Sequence, residues 1–204
     1  MPRDLSSSRL EAFSDGVIAV IITIMVLDIR VPSMRELGDA GAIRADLKLI
    51  VVYLLSFVQI GIYWVNHHYL LDDLEQVTHG ILWSNLALLF CLSLIPFGTN
   101  WIAVRGVEPV SVVVYVLCFL APGAAWAVLA NIICKRTGVR PAAGFIKQLA
   151  SLAMDLAAIA VAFLSPWGAL GIIAAVAFAW LLPPRRVVEQ TRRHSNSTPP
   201  VDSR

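Results

Sequence analysis

The sequence is poor in charge and in cysteine, and it lacks the motifs of the common enzyme classes. Only 15% of its 204 residues are charged and 58% are hydrophobic, whereas soluble domains have about 25% charged and about 45–50% apolar residues. This composition excludes a soluble globular domain and indicates an integral membrane protein. Its expected surroundings are a lipid bilayer, and no nucleic-acid partner is expected.

The three cysteines, Cys91, Cys118 and Cys134, lie in or beside apolar runs, and no CxxC pair is present. This placement predicts small core side chains rather than disulfides or metal ligands. The sequence contains neither the HExxH motif of zinc proteases nor the GxSxG motif of serine hydrolases. We therefore expect no enzyme, no metal site and no cofactor.

One stretch deserves a separate test as a metal site, because histidines and carboxylates are close in sequence there. The stretch contains His67, His68, Asp72, Asp73, Glu75 and His79. Adjacent histidines on a helix point about 100° apart, so His67 and His68 are poorly placed to share one ion. The sequence therefore disfavours a metalloenzyme.

Six apolar runs predict the fold, and the length allows about six spans of about 20 residues each. They cover residues 9–29, 47–69, 81–104, 110–134, 145–164 and 168–182. The runs are continuous rather than alternating, which favours helices over strands. The sequence therefore predicts an all-α membrane protein with a six-helix domain at 1–184. Residues 185–204, rich in Arg, Ser, Thr and Pro, are predicted to be a disordered basic cytoplasmic tail.

The distribution of Lys and Arg predicts the orientation. With the N-terminus inside, the inside segments contain Arg3, Arg9, Lys135, Arg136, Arg140, Lys147, Arg185, Arg186, Arg192, Arg193 and Arg204. The outside segments contain only Arg30, Arg35, Arg44, Lys48 and Arg105. Because cytoplasmic loops carry an excess of basic residues, both termini are predicted to be cytoplasmic.

Polar residues within the spans are costly and usually face the interior of a helix bundle. They are Arg9, Ser14 and Asp15 in the first segment, Trp64, Asn66, His67 and His68 in the second, Asn85 and Thr99 in the third, and Asp155 in the fifth. If both termini are inside, Asp15, His67, His68 and Asn85 share one membrane level. This level predicts a polar network between helices one, two and three. Two interpretations remain open, a set of hydrogen bonds that holds the helices together and an ion or proton site.

Asp155 stands apart from this predicted network, in the middle of the fifth segment. We expect it to have a packing role against a polar group on a neighbouring helix, such as Asn131.

Three motifs resemble those of the transmembrane protein 175 family, the endosomal and lysosomal potassium channels of animals and their bacterial relatives. The first is Arg9-x-x-x-Phe13-Ser14-Asp15, which opens helix one. The second is Trp64-x-x-His67-His68 at the end of helix two, and the third is Asn85 with Pro96-Phe97-Gly98-Thr99 in helix three. The match covers the first half of the chain, whereas the second half matches only in hydropathy and helix count.

The resemblance implies a potassium-selective cation channel in a cell membrane, here a bacterial plasma membrane, with potassium as the permeant ion. Single-repeat bacterial members of the family are homotetramers, in which four copies of helix one line a central pore. The usual TVGYG carbonyl filter is absent from this sequence, as it is from the family.

The resemblance also assigns the pore-lining residues. The family's apolar constriction lies five positions after the motif aspartate, at Val20 here, and further pore positions correspond to Thr23, Ile24 and Leu27. The family more often has Ile or Leu where this chain has Val20, so Val20, Ile24 and Leu27 remain alternatives for the narrowest point. The apolar rings would exclude water from the closed pore, and the hydroxyl of Thr23 would replace part of the ion's hydration in the open pore.

In this interpretation the polar network holds helix one at the angle that sets the pore width. Its members are Arg9, Phe13, Ser14, Asp15, Trp64, His67, His68 and Asn85. The alternative function is a proton-coupled secondary transporter that uses Asp15, His67 and His68. Against it, the two halves of the chain lack a matched pair of helices broken by Gly or Pro.

Overall fold

The computed structural model describes residues 6–28, 40–72, 74, 76–138 and 144–181, with only the backbone described at 28 and 40–46. The predicted tail at 185–204, most of the first outside loop, and Asp73 and Glu75 lie outside the described residues. The described part contains six α-helices. They are α1 (Ser7–Met25), α2 (Ala40–Leu71), α3 (His79–Arg105), α4 (Pro109–Thr137), α5 (Gly144–Ala162) and α6 (Pro166–Leu181), and a 3₁₀ turn, Val26–Asp28, follows α1.

The predicted all-α fold is therefore confirmed, and each apolar run contains one helix. The largest difference in bounds is at α2, which begins at Ala40 rather than at 47, because the good helix formers Ala and Arg are frequent in residues 40–46, ahead of its apolar part. Local side-chain and backbone interactions explain where α3 begins and where α4 ends. The Thr78 hydroxyl accepts the N–H of Ile81 at the start of α3, and Gly138 ends α4 with a positive φ of 70°.

Four of the helices are long and apolar enough to cross a membrane, namely 47–71 of α2 and the whole of α3, α4 and α5. The apolar helix α6 is shorter, with 16 residues. Helix α1 has 19 residues and includes three charged ones, Arg9, Glu11 and Asp15. The chain is thus a multi-pass membrane protein in which the first and last helices are the least typical spans.

The packing centres on the α3–α4 pair, which forms the most extensive helix contact of the described chain. At Gly98 the two helices approach so closely that an added Cβ would lie 3.0 Å from Cys118 Sγ and 3.4 Å from Tyr115 Cα. Cys118 is buried there, in agreement with its predicted core role. The Gly98-Thr99 pair of the third motif therefore serves helix packing.

A buried hydrogen-bond cluster lies beside this contact and joins α2, α3 and α4. The Ser56 hydroxyl lies 2.7 Å from the Thr99 hydroxyl and 2.9 Å from the Tyr115 hydroxyl. Thr99 also donates to the carbonyl oxygen of Ile95. Since lipid provides no hydrophobic force between helices, close packing and such bonds hold the bundle together.

Gly98→Val should destabilise the protein, because a side chain at this position enters the space of Tyr115 and Cys118 and overpacking costs about 1–3 kcal/mol. The measurement is the thermal unfolding midpoint of the detergent-solubilised protein. Gly171→Val is the matched control, since Gly171 is also within a helix and an added Cβ there meets nothing within 4 Å. Equal midpoints for the two variants would contradict the close α3–α4 approach.

Candidate functional site

A chain of buried hydrogen bonds joins α1, α2 and α3 through Ser14, Asn85 and His67. The Ser14 hydroxyl donates to the Leu10 carbonyl oxygen at 2.8 Å, so its oxygen is free to accept the Asn85 Nδ2 hydrogen at 2.9 Å. The Asn85 Oδ1 atom then faces His67 Nε2 at 2.7 Å. Because Oδ1 only accepts, His67 must carry its hydrogen on Nε2, an assignment that follows from the network.

The other ring nitrogen of His67 has a different environment. Nδ1 is buried and has no hydrogen-bond partner among the described residues. A second N–H at this atom would be a buried donor without an acceptor, which costs free energy. The arrangement therefore suits a neutral imidazole that acts as a hydrogen-bond donor to Asn85.

A second set of contacts joins α1 to α2 along one side. Trp64 Nε1 donates to Asp15 Oδ1 at 2.9 Å, and His68 Nδ1 lies 2.6 Å from Glu11 Oε1. Glu11 and Asp15 are four residues apart on α1, and Trp64 and His68 are four residues apart on α2, so the two contacts lie one helical turn apart. The order is reversed between the helices, so α1 and α2 are antiparallel here.

The structure thus brings together six of the eight residues predicted for the polar network. These are Ser14, Asp15, Trp64, His67, His68 and Asn85. The other two, Arg9 and Phe13, are exposed on α1, and no contact in the described part of the chain links them to this set. We call the six residues together with Glu11 the α1–α2–α3 network.

Glu11 is the member that the sequence analysis missed. Its position one turn before Asp15 on the same side of α1 is the signal that points to it. The same contacts bear on the metal interpretation, because His67 faces Asn85 whereas His68 faces Glu11. No group of three His, Cys, Asp or Glu side chains in the described ranges converges as a metal site would require.

Helix α1 has two distinct faces. Its buried face contains Leu10, Ser14, Ile18, Ile21 and Met25. Of the residues predicted to line the pore, Val20 and Ile24 lie on the exposed part of α1, where they are 54% and 49% exposed in the isolated subunit. Leu27 lies beyond the end of α1, in the 3₁₀ turn that follows it, and is 80% exposed. The exposed Thr23 hydroxyl donates back to the carbonyl oxygen of Ala19 or Val20, at 2.9 and 3.0 Å. Its oxygen lone pairs therefore remain available to a cation.

Asp155 lies in a different part of the bundle. It is buried in α5 and lines a cavity with residues of α2, α4 and α6. The expected contact with Asn131 is wrong, because Asn131 is exposed on α4 and is not among the residues that line this cavity.

These features define a helical multi-pass membrane protein with a partly buried polar network between its first three helices. The family model described as "Endosomal/lysosomal potassium channel TMEM175" matches residues 9–96, which include every member of that network. A potassium channel of Chryseobacterium sp. (strain P1-3) is 35% identical over 195 residues, or 93% of this chain and 100% of the relative. The chain therefore belongs to the TMEM175 family.

Two further similar proteins are a homolog with a solved structure and an animal relative. The crystal structure of a lysosomal potassium-selective channel TMEM175 homolog from Chamaesiphon minutus matches with a TM-score of 0.73 and 29% identity, covering 86% of this chain and 96% of that one. The endosomal/lysosomal proton channel TMEM175 of Homo sapiens is 34% identical over 96 residues, 42% of this chain and 19% of the human protein.

Asn85→Leu should lower stability, because it keeps a similar volume but leaves the His67 N–H without an acceptor, at a cost of about 1–3 kcal/mol. The thermal unfolding midpoint of the purified protein measures this loss. Asn131→Leu is the matched control, since Asn131 is exposed on α4. If both variants unfold at the same temperature, Asn85 does not hold the three helices together.

Proposed function

We propose that the chain is a potassium-selective cation channel of the cell membrane rather than an enzyme. Four copies assemble around a central pore lined by α1, and both termini lie in the cytoplasm. The bacterial relatives and the solved homolog are named as potassium channels, which supports both the ion and the channel activity. The exposed apolar side of α1 supports the proposal that this helix lines the pore.

The observation that carries the proposal is the asymmetry of α1. This helix packs against α2 and α3. The stripe formed by Val20 and Ile24 on α1 and by Leu27 in the following 3₁₀ turn is not covered by the described residues of the subunit. A helix that carries Arg9, Glu11 and Asp15 is poorly suited to a lipid-facing edge, where charge is costly. Contact with other copies of α1 would remove the stripe from lipid and place it around a common axis.

In the proposed mechanism the apolar stripe is the gate. In the closed state the rings of Val20, Ile24 and Leu27 exclude water, so an ion would have to enter a dry pore at a high energetic cost. In the open state the rings separate, and the outward-facing oxygen of Thr23 would replace part of the ion's hydration shell. No cofactor takes part, and the potassium ion is only the permeant species.

The α1–α2–α3 network would set the width of this pore without touching the ion. It fixes α1 at three points, through Ser14, Asp15 and Glu11, to the adjacent helices. A rotation or tilt of α1 that moves the stripe must change these bonds. The network is therefore a clamp whose geometry determines which α1 residues meet the pore axis.

The transporter alternative differs in what Asp15, His67 and His68 do. In the structure each of them binds a different partner on a neighbouring helix, namely Trp64, Asn85 and Glu11. This distribution supports a clamp rather than a shared proton-binding centre. Saturable, gradient-coupled uptake of a solute by reconstituted protein would favour the transporter and overturn the channel.

Liposomes with the purified protein should pass potassium faster than sodium, and Asn substitutions in the stripe should change that flux. Val20→Asn, Ile24→Asn and Leu27→Asn are expected to raise the flux severalfold, because a polar ring hydrates the constriction. Leu117→Asn, on an exposed face of α4, is the matched control for the cost of an amide within the membrane. Unchanged flux in all three stripe variants would exclude α1 as the pore.

The permeant ion is tested in the same liposomes, because the human relative is named as a proton channel. We expect a potassium current under a potassium gradient at uniform pH. A current carried by protons alone would contradict the proposed selectivity while leaving the pore assignment intact.

Asp15→Ala should reduce both the yield of tetramer and the conductance, because Trp64 Nε1–H loses its acceptor. Asp15→Asn is the matched control, since its side-chain oxygen still accepts this hydrogen and it should retain most of both properties. The measurements are the mass of the detergent-solubilised particle, about four times 22.3 kDa for a tetramer, and potassium flux. Normal tetramer and normal flux in Asp15→Ala would contradict the clamp.

A further inference from the structure

Helix α2 carries a second polar face, which lines a cavity that includes no residue of α1. Gln59, Tyr63 and Asn66 form this face at a helical spacing, and Asp155 on α5 lines the same cavity. The rest of the lining comes from α2, α4, α5 and α6 and includes Gln148, Ser151 and Trp180. The cavity offers about 30 Å³ to a small guest, enough for one or two water-sized particles.

Two oxygen-bearing groups in this cavity lack partners among the described residues. Gln59 is 9% exposed, and its Oε1 atom is buried without a hydrogen bond. Asp155 is 7% exposed, and the contacts of the described chain include no hydrogen bond or ion pair for its carboxyl group. The Gln59 side chain is hydrogen-bonded to Tyr63 of the same cavity, but its Oε1 atom is not part of that bond. A carboxyl group and an amide oxygen thus line one buried cavity without a hydrogen-bond partner among the described residues, which is costly.

The N–H donors around the cavity are partly used elsewhere. Trp180 Nε1 donates to Ser151 Oγ at 2.8 Å. Gln148 Nε2 donates to the Gly123 carbonyl oxygen, and Asn66 Nδ2 donates to the Ile62 carbonyl oxygen. Because Asn66 uses its Nδ2 atom for this bond, its Oδ1 atom remains available as an acceptor.

The basic side chain on the same helix as Asp155 also has another contact. The Lys147 ammonium lies over the Trp180 ring, 4.6 Å from its centroid. It forms no ion pair with Asp155 in the described part of the chain. The cavity therefore combines one carboxyl group with neutral oxygen acceptors, and no basic side chain of the described residues pairs with that carboxyl group.

We propose that this cavity binds one dehydrated alkali-metal cation, held by the Asp155 carboxylate and the side-chain amide oxygens of Gln59 and Asn66. Oxygen ligands of this kind replace the hydration shell of potassium and similar hard cations. One carboxylate neutralises one monovalent charge, whereas calcium sites use several carboxylates. The site lies within each subunit and belongs to α2 and α5, so it is separate from the proposed pore and does not depend on it.

The test is the thermal unfolding midpoint of the purified full-length protein, because a ligand that binds only the folded state raises stability. The protein is first transferred to N-methylglucamine chloride and then titrated with NaCl or KCl at constant ionic strength. We expect a saturable rise of several degrees for the wild type and no rise for Asp155→Asn. Gln59→Met should need a several-fold higher salt concentration, and this variant remains informative if Asp155→Asn does not fold.

Glu108→Gln is the matched control, because Glu108 is an exposed carboxylate just before α4 and its loss should leave the titration unchanged. A shift of equal size in wild type and Asp155→Asn would overturn the cavity site, and it would point to cation binding elsewhere, for instance in the pore. The absence of any shift, or a shift with calcium or magnesium alone, would also overturn it. Potassium flux through liposomes does not depend on this cavity. A titration that overturns the cavity site therefore does not contradict the channel proposal.

A second measurement locates the ion directly. Crystals of the wild type soaked in thallium(I) or rubidium should show an anomalous peak between α2 and α5, beside Asp155. Soaked crystals without a peak in this cavity would overturn the proposal even if the midpoint shifts.

Discussion

The arrangement of the first three helices depends on the hydrogen bonds of the Asn85 side-chain amide. It donates to Ser14 on α1 and accepts from His67 on α2, so one side chain of α3 fixes two other helices at the same level. Only a group with both a donor and an acceptor can do this, since a carboxylate accepts only. Because lipid does not drive apolar helices together, close packing and buried bonds of this kind specify which faces meet.

The consequence for α1 is a division of labour between its two sides. Ser14 and Ile18 are buried on the side that packs against α2 and α3, whereas Val20, Ile24 and Leu27 are left exposed by the described residues of the subunit. The polar motif at the start of the helix therefore determines the direction in which the apolar residues behind it point. If four subunits meet as proposed, the bonds of Asn85 and Trp64 set the geometry of a surface they do not touch.

The sequence predicts well at which level along the bundle a residue lies, and it predicts poorly in which direction around its helix the residue points. Continuous apolar runs located the six helices, and the shared level of Asp15, His67 and Asn85 located the network. Direction is harder, because α1 is apolar on most sides and its periodicity alone does not choose the exposed stripe. The same limit explains the wrong pairing of Asp155 with Asn131, for both lie well within helices but Asn131 faces outward. Glu11 and Ser56 were missed since a single polar residue does not reveal its partner helix.

Helix α2 links the network to the cavity. Asn66 and His67 are consecutive, so their side chains point about 100° apart, one towards the Asp155 cavity and the other towards Asn85. In the same way, Gln59 of α2 lines the cavity, whereas Trp64 contacts Asp15 on α1. A displacement of α2 therefore alters the acceptors around Asp155 and the bonds that hold α1 at the same time. Because Gln59 and Asp155 on one side and His67 and Asn85 on the other are buried, these groups cannot relax into water, and the position of α2 must satisfy both.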